Sequence, residues 1–215
     1  MYIVCCMRNG LVKMIKRNSI QDTEYAIPHT HTAGVDEVGR GAWAGPIVAA
    51  AVVLGCKIEG LKDSKKLTAK QREALNEIIK DRAYCWNIAE VSNVEIDRIG
   101  IAEANRLVMR RAIEGLKIKP DKVITDGFSC RIDLDEEVII GGDALIPEIS
   151  AASIIAKVYR DNLMHNYHLK DSKYGYDKHV GYGTKYHAEM LKKHGPSQFH
   201  RFSYKPIQLS VNSEQ

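Results

Sequence analysis

The longest apolar run in the sequence is AGPIVAAAVVLG, at residues 44–55. It is rich in β-branched residues and bounded by glycines, which is typical of a buried β-strand. The run is shorter than the roughly 18 apolar residues that a membrane-spanning helix needs. The sequence therefore predicts a central strand inside a sheet, and it predicts no membrane segment.

The periodicity of the remaining chain predicts further strands and helices. The other predicted strands are TAGVDEVG (32–39), AYCWNIAEV (83–91), KVITDG (122–127) and EEVIIGG (136–142). Helices are predicted over residues 67–82, 93–116, 149–169 and 185–194, and the first two open with capping-box spacings. This order predicts an α/β fold: a mixed β-sheet flanked by helices, with a small C-terminal helical region.

Length and charge predict one main domain. Its expected bounds are residues 31–206, between an irregular and flexible N-terminal extension (1–30) and a short tail (207–215).

The net charge is only +4, but residues 157–205 are rich in lysine and arginine, with tyrosines and histidines among them. Such a segment suits an enzyme that acts on a polyanion, although a solvated basic face explains the same pattern.

The cysteine pattern indicates a reducing compartment. The five cysteines are an odd number with no C-x-x-C spacing, so the sequence predicts neither a disulfide framework nor a zinc site. The N-terminus also lacks the basic segment and cleavage site of a secretory signal. We expect a cytoplasmic monomer.

Four acidic residues stand where predicted strands end or turn: Asp36, Glu37, Asp126 and Asp143. Carboxylates at the ends of neighbouring strands converge and repel one another, and hard cations such as Mg²⁺ or Mn²⁺ relieve that repulsion. Adjacent residues of a regular strand face opposite sides, so a shared site requires a bulge after Glu37 or a glutamate that reaches around. An ordinary turn explains any one of these acids, but four such positions favour a metal site.

A glycine-flanked cation follows the paired acids, in the order Gly39, Arg40 and Gly41. Glycine permits left-handed backbone angles and lets another molecule approach the main chain closely. The segment can therefore present backbone N–H groups and one guanidinium to a phosphate or a sugar. Taken alone the motif is weak, because glycine and arginine often share ordinary turns.

Six motifs together resemble ribonuclease HII, the type-2 ribonuclease H of bacteria. They are GVDEVGRG, KDSKKLT, ITDG, GGDA with ISAASIIAKVYRD, GYGTKYH and HGPSQFHRFSY, and they occur in the family's order between about Gly34 and Pro206. The resemblance implies a ribonuclease-H-like fold and two Mg²⁺ or Mn²⁺ ions held by Asp36, Glu37, Asp126 and Asp143. It implies hydrolysis of the RNA strand of RNA–DNA hybrids and cleavage 5′ to ribonucleotides embedded in duplex DNA, which leaves 3′-hydroxyl and 5′-phosphate ends.

The resemblance also implies which residues bind the substrate. The backbone of Gly39, Arg40 and Gly41 senses the 2′-hydroxyl, which is the group that distinguishes RNA from DNA. Tyr182 in the GYGT segment packs on the sugar after the scissile junction. The lysines of DSKKL, Lys65 and Lys66, bind phosphates of the nucleic-acid backbone and add salt-dependent affinity for the duplex.

Some alternatives stay open at the level of sequence. A Ser–Lys pair between Ser150 and Lys157 is less probable than close helix packing, and His165 with His168 is more often a wet helix face than a metal site. His187 and His200 match family positions of uncertain role. Where relatives often have Pro-Leu, residues 42 and 43 are Ala-Trp, and Val180 replaces a common lysine. The rival functions are a non-catalytic module that binds hybrids and a nuclease or integrase of the same broad fold.

Overall fold

The computed structural model describes residues 31–212 and, nearer the N-terminus, the backbone of residues 2–6 and 12–16. Those two segments are strands, β1 (Tyr2–Cys6) and β2 (Val12–Lys16), which pair antiparallel as a separate two-stranded sheet. The remainder of the expected N-terminal extension lies outside the described residues. Among the described helices, none is both long and apolar enough to cross a lipid bilayer.

The main sheet has five strands: β3 (Thr32–Val38), β4 (Ile47–Val53), β5 (Cys85–Val91), β6 (Lys122–Asp126) and β7 (Asp135–Ile139). Their spatial order is β5-β4-β3-β6-β7. The strands β3, β4 and β5 form an antiparallel meander, whereas β6 and β7 run parallel to β3. The predicted mixed sheet is confirmed. Because β3, β6 and β7 are parallel, their carboxyl ends meet at one edge.

Seven α-helices complete the described chain. They are α1 (Ala69–Arg82), α2 (Asn93–Ile99), α3 (Ile101–Glu114), α4 (Pro147–Lys170), α5 (Tyr176–His179), α6 (Lys185–His194) and α7 (Lys205–Asn212). Both predicted capping boxes form, at Thr68 with Gln71 and at Ser92 with Glu95. The last three helices form the predicted C-terminal helical region.

The apolar strand β4 is buried along its whole length and divides the core in two. Its odd-numbered residues pack with α3 on one face of the sheet, and its even-numbered residues pack with α1 and α4 on the other. The same alternation applies to β3. At Gly34 the first turn of α4 comes so close that an added Cβ would overlap the backbone of Glu148 and Ile149. This contact fixes α4 against the strand that carries Asp36 and Glu37.

Two predictions about element boundaries were wrong. The single helix predicted over residues 93–116 is two helices, α2 and α3, separated by Gly100 at φ +79° and ψ 153°. The predicted boundary after residue 206 falls inside α7, where Ile207 is fully buried. The packed part of the chain therefore includes α7.

We predict that Gly100→Ala destabilises the fold by about 1–3 kcal/mol, because only glycine adopts this backbone region without strain. The space around Gly100 is open, so the cost is conformational and not steric. Gly41→Ala is the matched control, since Gly41 lacks a positive φ and its surroundings are also open. Urea denaturation measures both variants, and equal free energies of unfolding would contradict the explanation.

Candidate active site

Three carboxylates converge at the edge where the parallel strands end. Asp36 lies near the end of β3, Asp126 ends β6, and Asp143 lies in a short 3₁₀ turn (Gly142–Ala144) that follows β7. One oxygen from each carboxylate lies within 4.8 Å of the others. The N–H of Gly142 donates to Asp126 Oδ1 at 3.0 Å, which ties the end of β6 to the turn that carries Asp143.

The charge of this cluster is poorly compensated by the protein. Burial, followed by repulsion from Glu37 and Asp126, raises the pKa of Asp36 to about 8, although a hydrogen bond from Ser153 opposes the shift. Burial also raises the pKa of Asp143, with Lys65 opposing it. Lys65 Nζ lies 3.5 Å from Asp143 Oδ2, but this cation is largely exposed and so compensates little. Such a cluster favours an additional cation.

Glu37 is not one of the three converging carboxylates. The antiparallel pairing of β3 with β4 continues regularly through Asp36, Glu37 and Val38, so the bulge that we considered is absent. Asp36 therefore faces α4, and Glu37 faces α3, where Asn105 hydrogen-bonds it. Burial raises the pKa of Glu37, with Arg40 opposing, and its Oε2 atom is buried without a hydrogen-bond partner.

The donor set fits a hard divalent cation. Three carboxylate oxygens meet within 4.8 Å, and a fourth carboxylate with an unpartnered buried oxygen lies on the other face of the same strand. Carboxylate oxygen is the donor that Mg²⁺ and Mn²⁺ prefer, and a bound cation would reverse the raised pKa of Asp36. The structure thus brings together Asp36, Asp126 and Asp143 and leaves Glu37 beside them.

The segment that contains Gly39, Arg40 and Gly41 is held by its carbonyl oxygens. Arg201 Nη2 donates to Gly39 O at 2.7 Å, and Nη1 donates to Arg40 O at 2.9 Å. Gly39 has φ +91°, and an added Cβ would overlap the guanidinium of Arg160. The Arg40 guanidinium lies over the ring of Phe128, 4.7 Å from its centroid. The backbone of Gly41 remains exposed.

Tyr182 lies in a second loop that is joined to the first. The N–H groups of Trp43 and Ala44 donate to Gly181 O at 2.8 and 3.3 Å. Arg160 bridges both loops, because it donates to Ala44 O at 3.2 Å and to Val180 O at 2.8 Å. The half-buried Tyr182 ring lies 5.5 Å from the same guanidinium carbon. The two segments predicted to read the substrate are therefore one connected structure.

Positions that depart from the family pattern lie inside this structure. The ring of Trp43 fills the space beside Gly183, where an added Cβ would overlap it. Val180 adopts φ +44°, a left-handed conformation that is strained for a β-branched residue. Ala42 is fully buried. These residues help to join the two loops.

The predicted lysines lie in a short turn beside Asp143. Lys65 and Lys66 occupy a 3₁₀ turn (Ser64–Lys66), and both side chains are exposed. Ser64 anchors this turn through its hydroxyl, which lies 2.8 Å from that of Ser153 on α4. Because Ser153 also hydrogen-bonds Asp36, the lysine turn is linked to the carboxylates.

Sequence reasoning missed three residues of the site. From the sequence, Ser153 in the ISAASIIAK segment is assigned to helix packing or a minor phosphate contact, whereas it hydrogen-bonds Asp36. Arg160 and Arg201 belong to the basic segment of the sequence, yet both are fully buried and bind carbonyls. The sequence motifs around these two arginines do not indicate whether the side chains are buried or exposed. Lys157 pairs with Asp161 at 2.8 Å and not with a serine, which leaves the Ser–Lys alternative without a contact in the described chain.

Comparison with known proteins agrees with the fold and the motifs. Residues 33–207 match the family model of ribonuclease HII. Ribonuclease HII of Clostridium botulinum is 50% identical over 179 residues, which cover 80% of this chain but only 66% of that relative's length. Ribonuclease HII of Acinetobacter baylyi is 50% identical over 187 residues, which cover 84% of this chain and 97% of the relative.

A solved structure extends the comparison to three dimensions. The crystal structure of ribonuclease H2 from Pyrococcus horikoshii superposes with a TM-score of 0.72 at 27% identity, covering 85% of this chain and 97% of that one. The predicted ribonuclease-H-like fold is confirmed.

We predict that Asp36→Asn stabilises the metal-free protein at pH 8 and abolishes stabilisation by Mg²⁺. The pKa of Asp36 is about 8 in the folded protein and lies near 3.8 without the fold. The free energy of unfolding therefore falls as the pH rises from about 4 to about 8, because the unfolded chain releases this proton first. The free energy of unfolding of the metal-free variant should exceed that of the parent by at least about 1 kcal/mol at pH 8, and the difference should shrink towards pH 4.

Thermal melting in EDTA and in Mg²⁺ measures both effects. Asp133→Asn, a change at an exposed carboxylate, is the control and should keep the Mg²⁺-induced rise. An equal rise in Asp36→Asn would contradict the metal site.

Proposed function

Because the chain belongs to the ribonuclease HII family, we propose that it is a metal-dependent endoribonuclease. It hydrolyses the RNA strand of RNA–DNA hybrids and cuts on the 5′ side of ribonucleotides embedded in duplex DNA. The products carry 3′-hydroxyl and 5′-phosphate ends. The observation that carries this proposal is the convergence of Asp36, Asp126 and Asp143 within 4.8 Å.

The carboxylates hold two divalent ions, Mg²⁺ or Mn²⁺. Asp36, Asp126 and Asp143 would be the primary ligands, and Glu37 would complete the set with its unpartnered oxygen by reaching around from the other face of β3. When bound, the ions supply an activated water and stabilise the charge that develops on the leaving 3′ oxygen. Asp36 must be ionised to serve as a ligand, so activity should require a pH at which metal binding outcompetes its proton.

The glycine loop distinguishes RNA from DNA. Arg201 occupies the carbonyl oxygens of Gly39 and Arg40, which fixes the orientation of the peptide planes. The backbone at Gly41 is exposed and has no side chain to exclude a sugar. A 2′-hydroxyl can therefore approach the main chain and form a hydrogen bond that deoxyribose lacks.

Two further contacts place the scissile phosphate. The Tyr182 ring packs on the sugar that follows the junction, and Arg160 beneath it limits its movement. Lys65 and Lys66 project from an exposed turn beside Asp143 and bind backbone phosphates. Phosphate contacts are independent of sequence and weaken with salt. The protein acts as a cytoplasmic monomer in this proposal.

The first test uses a DNA duplex with one internal ribonucleotide, incubated with the purified protein and Mg²⁺ or EDTA. Metal-dependent cleavage 5′ to the ribonucleotide is the expected result. Cleavage of long hybrids alone would preserve the metal site but contradict the roles of Tyr182 and the glycine loop. Binding without any product would favour the non-catalytic module.

We predict that Asp36→Asn reduces cleavage by at least about a thousandfold while duplex binding survives, since the amide removes a metal ligand and leaves the binding surface intact. Single-turnover cleavage and a gel-shift assay measure the two properties. Asp133→Asn serves as the control with parent activity. Full activity of the Asp36 variant would disprove the mechanism.

We predict that Tyr182→Ala impairs cleavage at a single ribonucleotide about tenfold more than cleavage of an all-RNA strand, because the ring contacts the sugar at the junction. Tyr182→Phe should behave like the parent, since it keeps the ring. The measurement is kcat/KM on both substrates. Equal losses on the two would argue against reading of the junction.

A further inference from the structure

Two buried histidines form a chain of hydrogen bonds that ends on the Tyr182 loop. The N–H of Ser197 donates to His200 Nδ1 at 2.9 Å. His200 Nε2 lies 3.0 Å from His187 Nε2, and His187 Nδ1 lies 2.9 Å from the carbonyl oxygen of Tyr182. Both imidazoles are fully buried.

The backbone groups at the two ends determine every proton in this chain. The Ser197 N–H can only donate, so His200 Nδ1 accepts and His200 Nε2 carries the proton. The Tyr182 carbonyl can only accept, so His187 Nδ1 carries the proton and His187 Nε2 accepts from His200. Both rings are therefore neutral, since a second proton on either would set two N–H groups against each other.

The surroundings of the two rings favour the neutral form. The ring of His179 stacks on His187 with centroids 4.4 Å apart, and the rings of Tyr174 and Tyr176 lie on the other sides. Burial lowers the pKa of His187 to about 4 and that of His200 to about 3.

His179 holds the start of the same loop. Its Nε2–H donates to the Tyr174 carbonyl at 2.7 Å, and its Nδ1 accepts from the N–H of Gly181 at 3.2 Å. The N–H of Tyr182 donates to the His179 carbonyl at 2.9 Å. The peptide groups on both sides of Tyr182 are thus held by the backbone of His179 and the side chain of His187. The Thr184 N–H also donates to the Tyr182 carbonyl, at 2.9 Å, but only His187 ties this carbonyl to the buried histidines.

We propose that His200 and His187 are positioning residues, a relay of neutral imidazoles that holds the Tyr182 carbonyl and so directs the Tyr182 ring at the sugar of the ribonucleotide junction. The assignment of the sugar rests on the proposed function. The relay makes no contact with the reacting atoms. Its effect should therefore appear in the choice between substrates and should depend on Tyr182.

Variants at residue 187 separate the hydrogen bond from simple packing. Asparagine can place an amide N–H near the former Nδ1 position, whereas leucine fills the space without a donor. We expect His187→Leu to lower the preference for a single ribonucleotide over a long hybrid by about tenfold, measured as a ratio of kcat/KM values. His187→Asn should retain most of that preference. The control is His165→Ala, at an exposed histidine of α4.

A double-mutant cycle shows whether the relay acts through Tyr182. If it does, His187→Leu causes no further loss of preference once Tyr182 is alanine. The same tenfold loss in the Tyr182→Ala protein would overturn the proposal. So would a loss in His187→Asn as large as that in His187→Leu.

A measurement without catalysis tests the relay independently. The chain has two tryptophans, and Trp86→Phe leaves Trp43, which packs on Gly183 next to Tyr182. In that protein His200→Leu should increase acrylamide quenching of Trp43 while circular dichroism stays unchanged, because His200 reaches the loop through His187. Unchanged quenching would overturn the relay. If the parent cleaves neither substrate, the proposed function fails, and the quenching result still decides the relay.

Discussion

The loops that carry Gly39–Gly41 and Tyr182 depend on the hydrogen bonds that two buried arginines donate to backbone carbonyls. Arg160 donates to Pro46 O at 3.0 Å as well as to the Tyr182 loop, and Arg201 donates to Gly45 O at 2.9 Å besides the glycine loop. Burying a guanidinium is costly unless its donors are satisfied, and several carbonyl dipoles satisfy them here without a carboxylate. An acidic partner in this place would repel a phosphate backbone, whereas carbonyls hold the loops and leave the net charge positive.

The carboxylates repel one another, and the packing of the sheet must hold them together. The converging acids destabilise the metal-free fold, so the apolar packing of β4 against α3 and α4 must offset them. The regular pleat of β3 places its two adjacent acids on opposite faces, between different helices. Rigid strands hold the acids, and the cross-linked loops hold Tyr182 and the glycine segment. The parts of the site for which we propose catalysis and recognition are therefore supported separately.

Sequence reasoning found the features that depend on local pattern. Asp36, Asp126 and Asp143 could be predicted because each follows a β-branched run at a strand end, and both capping boxes because their spacing is local. The break at Gly100 was missed because apolar periodicity continues across it. The roles of Arg160 and Arg201 could not be predicted, since each binds carbonyls of the Gly39–Pro46 segment, more than a hundred residues away in sequence. The face of the sheet on which Glu37 lies could not be predicted, because it depends on whether β3 pairs regularly with β4 through this residue.

The strained backbone at Val180 determines which part of the protein opens first on heating. A β-branched residue in the left-handed region relaxes once its restraints weaken. Here the restraints are the hydrogen bond from Arg160 to the Val180 carbonyl and the bond from the Val180 N–H to the Tyr176 carbonyl. Local opening therefore begins in this loop at a lower free energy than global unfolding. Amide hydrogens around residue 181 should exchange before those of β4, so the proposed discrimination between sugars should be lost while the sheet and its carboxylates are still intact.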